Sequence, residues 1–411
     1  MYKERREELF KRIEGNFALI IFAGEAIGKS EDETYPFSVN RNFYYLSGLE
    51  NEANILLLSR TDGKESESLF ILPYDEVMAR WVGGRMSKED ASGISGIKRV
   101  FDVNEFTDQL SHLLNLNRKD RDFKVYLDLW HYSFDQLPTP ATRLADKLRQ
   151  NYPAVNLVDC YELLASLRLV KDEEEIRNIQ TAIAITRAGI EKMMKTIRPG
   201  MNEMVMEGVF NFVLMQNLCN QNAFHTIAAS GARACTLHYG DNNQTMQDGE
   251  LFLCDLGATY KHYCADISRT FPVNGKFTAR QKELYQLVLN AQKLVAEKAR
   301  PGMTTRDLND LVVSYYEEEL PKHGLTKGVS EYYFHGVSHH LGLDTHDIDG
   351  GVGRILKPGN IITNEPGLYV ADEGIGIRIE DDLLITEDGA IVLSKDIVKE
   401  VEDIEALMAR R

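Results

Sequence analysis

The second half of the chain contains an internal repeat, since the sequence RPGM occurs at residues 198–201 and again at 300–303. Each copy lies between two segments with the apolar periodicity of an α-helix. These four segments are 174–196, 202–218, 280–299 and 305–320. Because Pro and Gly interrupt the helical pattern at the same point in both copies, we predict a duplicated helix–turn–helix unit. A domain built from two such units is expected to have approximate twofold symmetry.

The full chain has 411 residues, a length typical of two domains. Its first part alternates short apolar runs with polar turns, which indicates a mixed α/β domain. The strand candidates are 16–23, 43–46, 55–58, 69–72 and 125–127, and a helix is predicted at 140–150. The pattern is helical from 161 to 197, where KDEEEIRNIQ is typical of a helix N-terminus. We therefore place the boundary near residue 165, which gives domains 1–165 and 166–411.

The composition is that of a globular protein with an acidic surface, since the formal net charge is −16. Such a charge disfavours nucleic acids and anionic membranes as partners. The apolar run 17–23 is too short for a signal sequence with its cleavage site, and no run approaches the length of a membrane span. We therefore expect a cytoplasmic protein. Five cysteines without a CxxC pair indicate buried free thiols rather than disulfides or a thiolate zinc site.

The segment CDLGATYKHYCADISRTF has the pattern of a β-hairpin with one acidic residue on each strand. A turn centred on residues 260–261 would place Asp255 opposite Asp266. The Cβ atoms of such partners lie about 5 Å apart, and like charges at that distance are destabilising. A cation between the two carboxylates would remove this repulsion.

A second hairpin pattern occurs in NEPGLYVADEGIGIRIEDD, where a turn near residues 372–373 would place Glu365 opposite Glu380. Each half of the repeat is thus followed by one pair of facing carboxylates. Four converging carboxylates are electrostatically unfavourable when they are buried and unpaired. Two divalent cations would balance their charge.

Histidines are concentrated between the two hairpins, in FHGVSHHLGLDTHD. They are His335, His339, His340 and His346, and His238 in TLHYG is a further candidate. His335 and His339 have the spacing of a helical zinc site, but Gly336 occupies the Glu position of HExxH and disfavours a helix. Together with the carboxylates, these histidines predict a di-metal site.

Five separated motifs in this half resemble those of one enzyme family. They are HYGDN, CDLGATYKHYCADISRTFPVNGKF, FHGVSHHLGLDTHD, NEPGLY and GIRIEDD. With them the chain resembles aminopeptidase P, one of the pita-bread metallopeptidases, which also include prolidase and methionine aminopeptidase. The first domain is similar to the family's N-terminal domain through SEDETYPFSVNRNFYYLSGLE and RWVGGR. The resemblance implies an α/β N-terminal domain followed by an α+β, pseudo-twofold pita-bread catalytic domain of the creatinase/aminopeptidase type.

The resemblance also implies a set of metal ligands. They are Asp255, Asp266, His339, Glu365 and Glu380. In the family, the residue matching Asp255 chelates one ion and those matching His339 and Glu365 hold the other. The residues matching Asp266 and Glu380 bridge both. Four carboxylates and one imidazole form a hard ligand set, which favours two Mn²⁺ ions, with Zn²⁺ or Co²⁺ as possible substitutes.

Further roles follow from the same resemblance. A water shared by the two ions would lose a proton to Glu365 and become hydroxide. Glu365 would then pass this proton to the leaving prolyl nitrogen. His346 or His335 would stabilise the tetrahedral oxyanion. The supporting residues are His238, His335, His346 and Arg378, and the expected substrate contacts are His238, His346, Arg378 and Trp81. Trp81 matches a tryptophan that reaches into a neighbouring subunit's active site, so a homodimer or homotetramer is expected.

The sequence departs from the family pattern at two positions beside the ligands. Asn364 replaces an aliphatic residue that often precedes Glu-Pro, and His340 stands where these enzymes often carry Trp. Neither change removes a ligand, but both are expected to affect pocket shape or metal affinity.

The expected activity is metal-dependent removal of the N-terminal residue from peptides with proline in second position. One alternative is prolidase, which hydrolyses Xaa-Pro dipeptides at the same kind of site. An alternative of another class is a pita-bread protein that only binds peptides, as in histone-chaperone relatives. Proteins of that class typically lack the ligands, whereas all five occur here.

Overall fold

The computed structural model describes residues 1–349 and 354–410. It divides into two compact units, Met1–Leu167 and Arg168–Arg411. Within the described ranges, every helix is too short or too polar to cross a lipid bilayer.

The first unit contains a six-stranded sheet with the order β4-β3-β2-β1-β5-β6. Its helices are α1 (Tyr2–Arg12), α2 (Arg41–Ser47), α3 (Glu76–Val82), α4 (Lys88–Ser95), α5 (Phe106–Leu116), α6 (Pro140–Asn151) and α7 (Tyr161–Arg168). Its strands are β1 (Phe17–Phe22), β2 (Ile55–Thr61), β3 (Lys64–Ile71), β4 (Val100–Asp102), β5 (Lys124–Leu127) and β6 (Asn156–Asp159). Strand β1 is antiparallel to β2 and parallel to β5. Apolar residues of the central strands pack against α5 and α6 to form the core.

The predicted α/β character is confirmed, but one predicted strand is wrong. Residues 43–46 lie in helix α2 rather than in the sheet. The Asn40 side chain caps this helix by accepting a hydrogen bond from Phe43 N, and Gly48 ends it with a left-handed φ of 73°. The aromatic run suits a strand by local propensity, but the cap at each end and burial of the helix favour α2.

The second unit contains the helices predicted around the repeat. They are α8 (Glu173–Thr196), α9 (Glu203–Gln216), α10 (Ala279–Lys298) and α11 (Thr305–Glu319), and α12 (Val401–Met408) follows near the end of the chain. The two RPGM turns have the same conformation, since Gly200 and Gly302 have φ values of 87° and 91°. Asn202 and Thr304 then cap α9 and α11 at equivalent positions. The duplicated helix–turn–helix unit is therefore confirmed.

The first predicted hairpin is present with a different register. Its sheets contain β7 (Ile227–Ser230), β8 (Leu251–Leu256), β9 (Thr259–Tyr260), β10 (Tyr263–Cys264) and β11 (Ile267–Pro272). The turn lies at Lys261 and His262, whose φ values of 47° and 65° are those of a type I′ turn. The prediction of Asp266 opposite Asp255 is therefore wrong, and Ser268 is the cross-strand partner. Because the pairing shifts by an even number of residues, Asp255 and Asp266 remain on one face.

The second predicted hairpin has the expected register. It consists of β12 (Ile361–Asn364), β13 (Gly367–Val370), β14 (Ile375–Arg378) and β15 (Asp381–Ile385), and β16 (Ala390–Val392) pairs with β15. Gly367 is paired with Arg378, and the β12–β15 ladder keeps the same register. Glu365 therefore lies opposite Glu380, as predicted.

Candidate metal centre and active site

A pocket of about 600 Å³ in the second unit is lined by residues of both hairpins. It brings together all nine site residues predicted in this unit: Asp255, Asp266, Glu365, Glu380, His238, His335, His339, His346 and Arg378. Part of its wall is apolar, formed by Phe224, Ile227 and Leu237. The carboxylates and imidazoles thus face a cavity large enough for a small peptide segment.

The centre of the pocket contains a compact cluster of possible metal ligands. Asp266, His339 and Glu380 each offer one ligand atom, and these atoms lie within 4.8 Å of one another. His339 Nε2 is 3.4 Å from Asp266 Oδ2 and 3.5 Å from Glu365 Oε1. Both hairpins therefore contribute carboxylates to one histidine.

His339 is held in one orientation by its neighbours. The stretch of chain that contains His339 is not helical and runs along β12, where Thr363 N donates a hydrogen bond to His339 O at 2.9 Å. His339 Nδ1 lies 3.0 Å from His340 O. Because a carbonyl oxygen only accepts, Nδ1 carries a hydrogen, and Nε2 is the nitrogen that faces the carboxylates and could bind a metal.

Arg378 dominates the other side of the cluster. Its Nη2 donates to Asp255 Oδ2 at 2.7 Å, and its Nε donates to Ser268 Oγ at 2.9 Å. Ser268 Oγ in turn donates to Glu380 Oε2 at 2.8 Å. Asp255 Oδ1 is buried and has no hydrogen-bond partner among the described residues. An orphaned carboxylate oxygen in this position is a ligand that a cation would satisfy.

The electrostatics of the cluster also favour bound cations. Burial, followed by repulsion from Asp255 and Glu365, raises the pKa of Asp266 well above its ordinary value. Burial and the charges of Asp266 and Glu365 do the same to the pKa of Glu380. Burial also raises the pKa of Glu365, although His339 opposes the shift. Hard oxygen ligands that cannot all carry charge unaided, together with one imidazole, fit divalent ions.

His335 belongs to a chain of hydrogen bonds that begins at Arg378. Arg378 Nη1 donates to Tyr369 Oη at 2.9 Å, and Tyr369 Oη lies 2.9 Å from His335 Nε2. His335 Nδ1 lies 2.8 Å from Gly336 O, so Nδ1 carries the hydrogen and Nε2 accepts from the phenol. Burial and the charge of Arg378 lower the pKa of His335 to about 4. The ring is therefore neutral, and both its nitrogens are occupied.

His346 and His238 lie at the exposed side of the pocket. The His346 ring stands edge-to-face against His339, with centroids 4.3 Å apart. Burial and the nearby imidazoles of His339 and His238 lower the pKa of His346. His238 follows a short 3₁₀ turn, Gly231–Cys235, in a segment without regular structure.

Three other predicted residues have different surroundings. Trp81 lies in α3 of the first unit and is 80% exposed. His340 is buried, which lowers its pKa to about 3. Asn364 is also buried and donates from Nδ2 to Gln292 O at 2.8 Å. Since neither His340 nor Asn364 is among the described residues that line the pocket, the expected effect on its wall is not direct.

Several polar residues of the site were not predicted. Ser268 would have been found with the correct register of the first hairpin. Thr363 and Tyr369 are each an even number of residues from Glu365 along the second hairpin. The period of two in a strand therefore places all three side chains on the same face. Asp382, whose Oδ2 accepts from Asp266 N at 3.3 Å, carried no such signal.

Known proteins resemble the chain over its whole length. The model of metallopeptidase family M24 matches residues 177–387, and that of the aminopeptidase P N-terminal domain matches residues 2–123. The Xaa-Pro aminopeptidase of Escherichia coli (strain K12) is 36% identical over 433 residues, which cover 99% of this chain and 97% of that protein. A solved chain from Bacillus anthracis is 42% identical with a TM-score of 0.95, covering 100% of this chain and 98% of that one. Zn-substituted E. coli aminopeptidase P in complex with product has a TM-score of 0.90 at 34% identity, with the same coverage.

Proposed function

The chain belongs to metallopeptidase family M24 and carries the aminopeptidase P N-terminal domain, and we propose that it removes the N-terminal residue from peptides whose second residue is proline. The chain is a hydrolase of this metal-dependent exopeptidase type, with a pita-bread catalytic domain. The observation that carries the proposal is the cluster of Asp266, His339 and Glu380, whose ligand atoms lie within 4.8 Å in one peptide-sized pocket.

The donor set supports two divalent ions, and its hardness favours Mn²⁺ over Zn²⁺ or Co²⁺. Asp255, whose Oδ1 has no hydrogen-bond partner in the described part of the chain, would hold one ion, and His339 with Glu365 would hold the other. Asp266 and Glu380 would be shared between them. When bound, two such ions would lower the pKa of a water between them and make hydroxide available at neutral pH.

Glu365 is proposed as the group that moves the proton. Its Oε1 is 3.3 Å from the Thr363 hydroxyl and 3.5 Å from His339 Nε2, so one oxygen is oriented toward the ligand cluster. The same carboxylate lines the open pocket, where a peptide's scissile bond would lie. Glu365 would take the proton of the attacking water and deliver it to the prolyl nitrogen as that nitrogen leaves.

The imidazoles are assigned by which of their nitrogens are available. His346 is exposed in the pocket and packs against His339, so it is proposed to donate a hydrogen bond to the developing oxyanion. His335 has both nitrogens occupied, and it is proposed to orient the Tyr369–Arg378 pair instead. His238, at the exposed rim, is proposed to contact the substrate.

Trp81 supports a proposal about assembly. The α3 helix that carries it has no buried residue, and Trp81 is 80% exposed. Tryptophan is enriched among the residues that dominate protein interfaces, and at this exposure Trp81 is accessible to a partner subunit. We propose that the protein is a homodimer or homotetramer, in which Trp81 lines the substrate pocket of a neighbouring subunit.

Metal analysis and a peptide series test the proposed function together. Purified protein is expected to contain about two divalent ions per chain, to lose activity with a chelator and to regain most activity with Mn²⁺. Cleavage should occur on Xaa-Pro-Xaa tripeptides and longer peptides at least as well as on dipeptides. Hydrolysis of dipeptides alone would favour prolidase. The absence of both metal and rescue by Mn²⁺, Zn²⁺ or Co²⁺ would refute the proposal and favour a binding protein.

A further inference from the structure

Glu203 is a fully buried carboxylate at the first turn of α9. It accepts five hydrogen bonds, all from residues 230–244. The donors are Ser230 N and Oγ (2.8 Å each), Arg233 Nε (3.0 Å), Tyr239 Oη (2.9 Å) and Gln244 N (3.0 Å). A buried charge is tolerated only where donors replace its hydration, so this carboxylate and this segment depend on each other.

The segment that Glu203 binds forms one side of the pocket. Leu237, His238 and Tyr239 all line the cavity. From 236 to 244 the chain has no helix or strand, so it lacks the repeated backbone hydrogen bonds that fix such elements. The position of this stretch therefore depends on individual side-chain contacts.

The two oxygens of Glu203 bind the segment on opposite sides of His238. Oε1 accepts from Ser230 and Arg233, which precede the histidine. Oε2 accepts from Tyr239 and Gln244, which follow it. A single carboxylate thus connects the two flanks of the loop.

We propose that Glu203 is a positioning residue for hydrolysis, which holds the His238 imidazole at the pocket rim through its bonds to Tyr239 and Gln244. The inference rests on the proposed role of His238 in substrate contact. Glu203 is itself fully buried, so it acts through these donors and not on the substrate.

Glu203→Gln is the informative substitution because it keeps the size of the side chain. The amide oxygen can still accept from Ser230 and Arg233, while the amide nitrogen faces Gln244 N, which then loses its acceptor. We expect kcat/KM for an Xaa-Pro tripeptide to fall about tenfold with unchanged metal content, since small displacements of active-site groups have effects of this size or larger. In a His238→Ala background the same substitution should change kcat/KM by less than about twofold.

Glu175→Gln provides a matched control. Glu175 is also buried and accepts a hydrogen bond from a tyrosine hydroxyl, Tyr263 Oη, at 3.0 Å. Its replacement should leave kcat/KM within about threefold of the wild type. If the effects of Glu203→Gln and His238→Ala multiply instead, Glu203 does not act through His238 and the inference is overturned. Wild-type kcat/KM in His238→Ala would overturn it together with the assigned role of His238, while hydrolysis itself would stand.

Hydrogen exchange tests the same contact without requiring activity. Amides of 236–244 should exchange at least about tenfold faster in Glu203→Gln, with exchange elsewhere unchanged. Should that variant fail to fold, Tyr239→Phe removes a single donor from Glu203, and exchange in the same stretch should still accelerate. Unchanged exchange in a folded variant would overturn the inference. A wild-type protein that cleaves no Xaa-Pro peptide would refute the proposed function, and the exchange measurement would still test separately whether Glu203 holds the 236–244 stretch.

Discussion

Replacing Ser268 with Ala removes one hydroxyl from between two charged side chains of the site. Ser268 is fully buried and faces Asp255 across the first hairpin. Its oxygen accepts from Arg378 Nε at 2.9 Å and donates to Glu380 Oε2 at 2.8 Å. The variant leaves both charged groups short of one partner, while the fold loses only a single small polar atom.

The expected effect on metal binding follows from these two contacts. A hydrogen bond to a charged group contributes about 1.5–3 kcal/mol, and about 1.4 kcal/mol corresponds to a tenfold change in an equilibrium constant. Glu380 is proposed as a shared ligand, so the loss of its hydrogen-bond donor should weaken metal binding at both positions. Outer contacts of metal ligands typically change affinity by 10- to 100-fold. We therefore expect the Mn²⁺ dissociation constant to rise by roughly 10- to 100-fold in Ser268→Ala.

Titration of the metal-free protein against a competing chelator would measure this change directly. Thr270→Val is a matched control on the same strand and face. Thr270 is equally buried, but its hydroxyl contacts the backbone of Arg378, donating to O at 3.1 Å and accepting from N at 3.2 Å. Its replacement should reduce thermal stability with little change in metal affinity. Wild-type affinity in Ser268→Ala, or an equal loss in Thr270→Val, would refute the reasoning.

Three further substitutions test the assigned roles. Glu365→Gln keeps the size of the side chain but removes the proton acceptor, so kcat should fall at least tenfold, as general-base catalysis contributes about 10²–10⁴-fold. A variant with more than about a tenth of wild-type turnover would contradict that role. His346→Ala should lower kcat by about 10²-fold or more without loss of metal, because the residue is assigned to the oxyanion. Loss of metal in this variant, measured by elemental analysis, would show that a ligand has been misassigned. Trp81→Ala should raise KM for Xaa-Pro peptides with metal content unchanged. An unchanged KM, or a wild-type protein that light scattering shows to be a fully active monomer, would mean that Trp81 does not contribute to a neighbouring subunit's site.

The two carboxylates of each hairpin could be placed on one face from the sequence. The face on which a strand residue lies depends only on whether its spacing from its neighbours is even or odd. In the second hairpin, the register was predicted correctly, and Gly374 ends the turn with a left-handed φ of 64°. In the first, Lys261 and His262 adopt positive φ without the Asn-Gly signal that usually marks such a turn. The pairing was therefore misplaced by two residues, which preserved the face of Asp255 and Asp266 but concealed Ser268.

The remaining contacts could not be predicted because they join residues far apart in sequence. Glu203 and Tyr239 are 36 residues apart, and Ser268 and Glu380 are 112 apart. No local pattern marks a buried glutamate near a helix start as an acceptor for a distant loop, since acidic residues are common there for helix stability alone. The misassigned strand at 43–46 has a different cause, because its aromatic residues suit either element and the cap at Asn40 decided between them.

The duplicated scaffold supports a site that is electrostatically unequal at its two ends. Near Asp255, the guanidinium of Arg378 already binds Oδ2 of the carboxylate. A cation that binds the other oxygen, Oδ1, would therefore be repelled by this nearby positive charge. Near His339, Asp266 and Glu365 approach Nε2 of the imidazole at 3.4 and 3.5 Å, and neither carboxylate accepts a hydrogen bond from a guanidinium among the described residues. Coulomb repulsion is strong over such distances in a buried site. Of the two proposed ions, the one beside His339 should therefore bind more tightly than the one beside Asp255, and anomalous diffraction from protein given one equivalent of Mn²⁺ would check which position fills first.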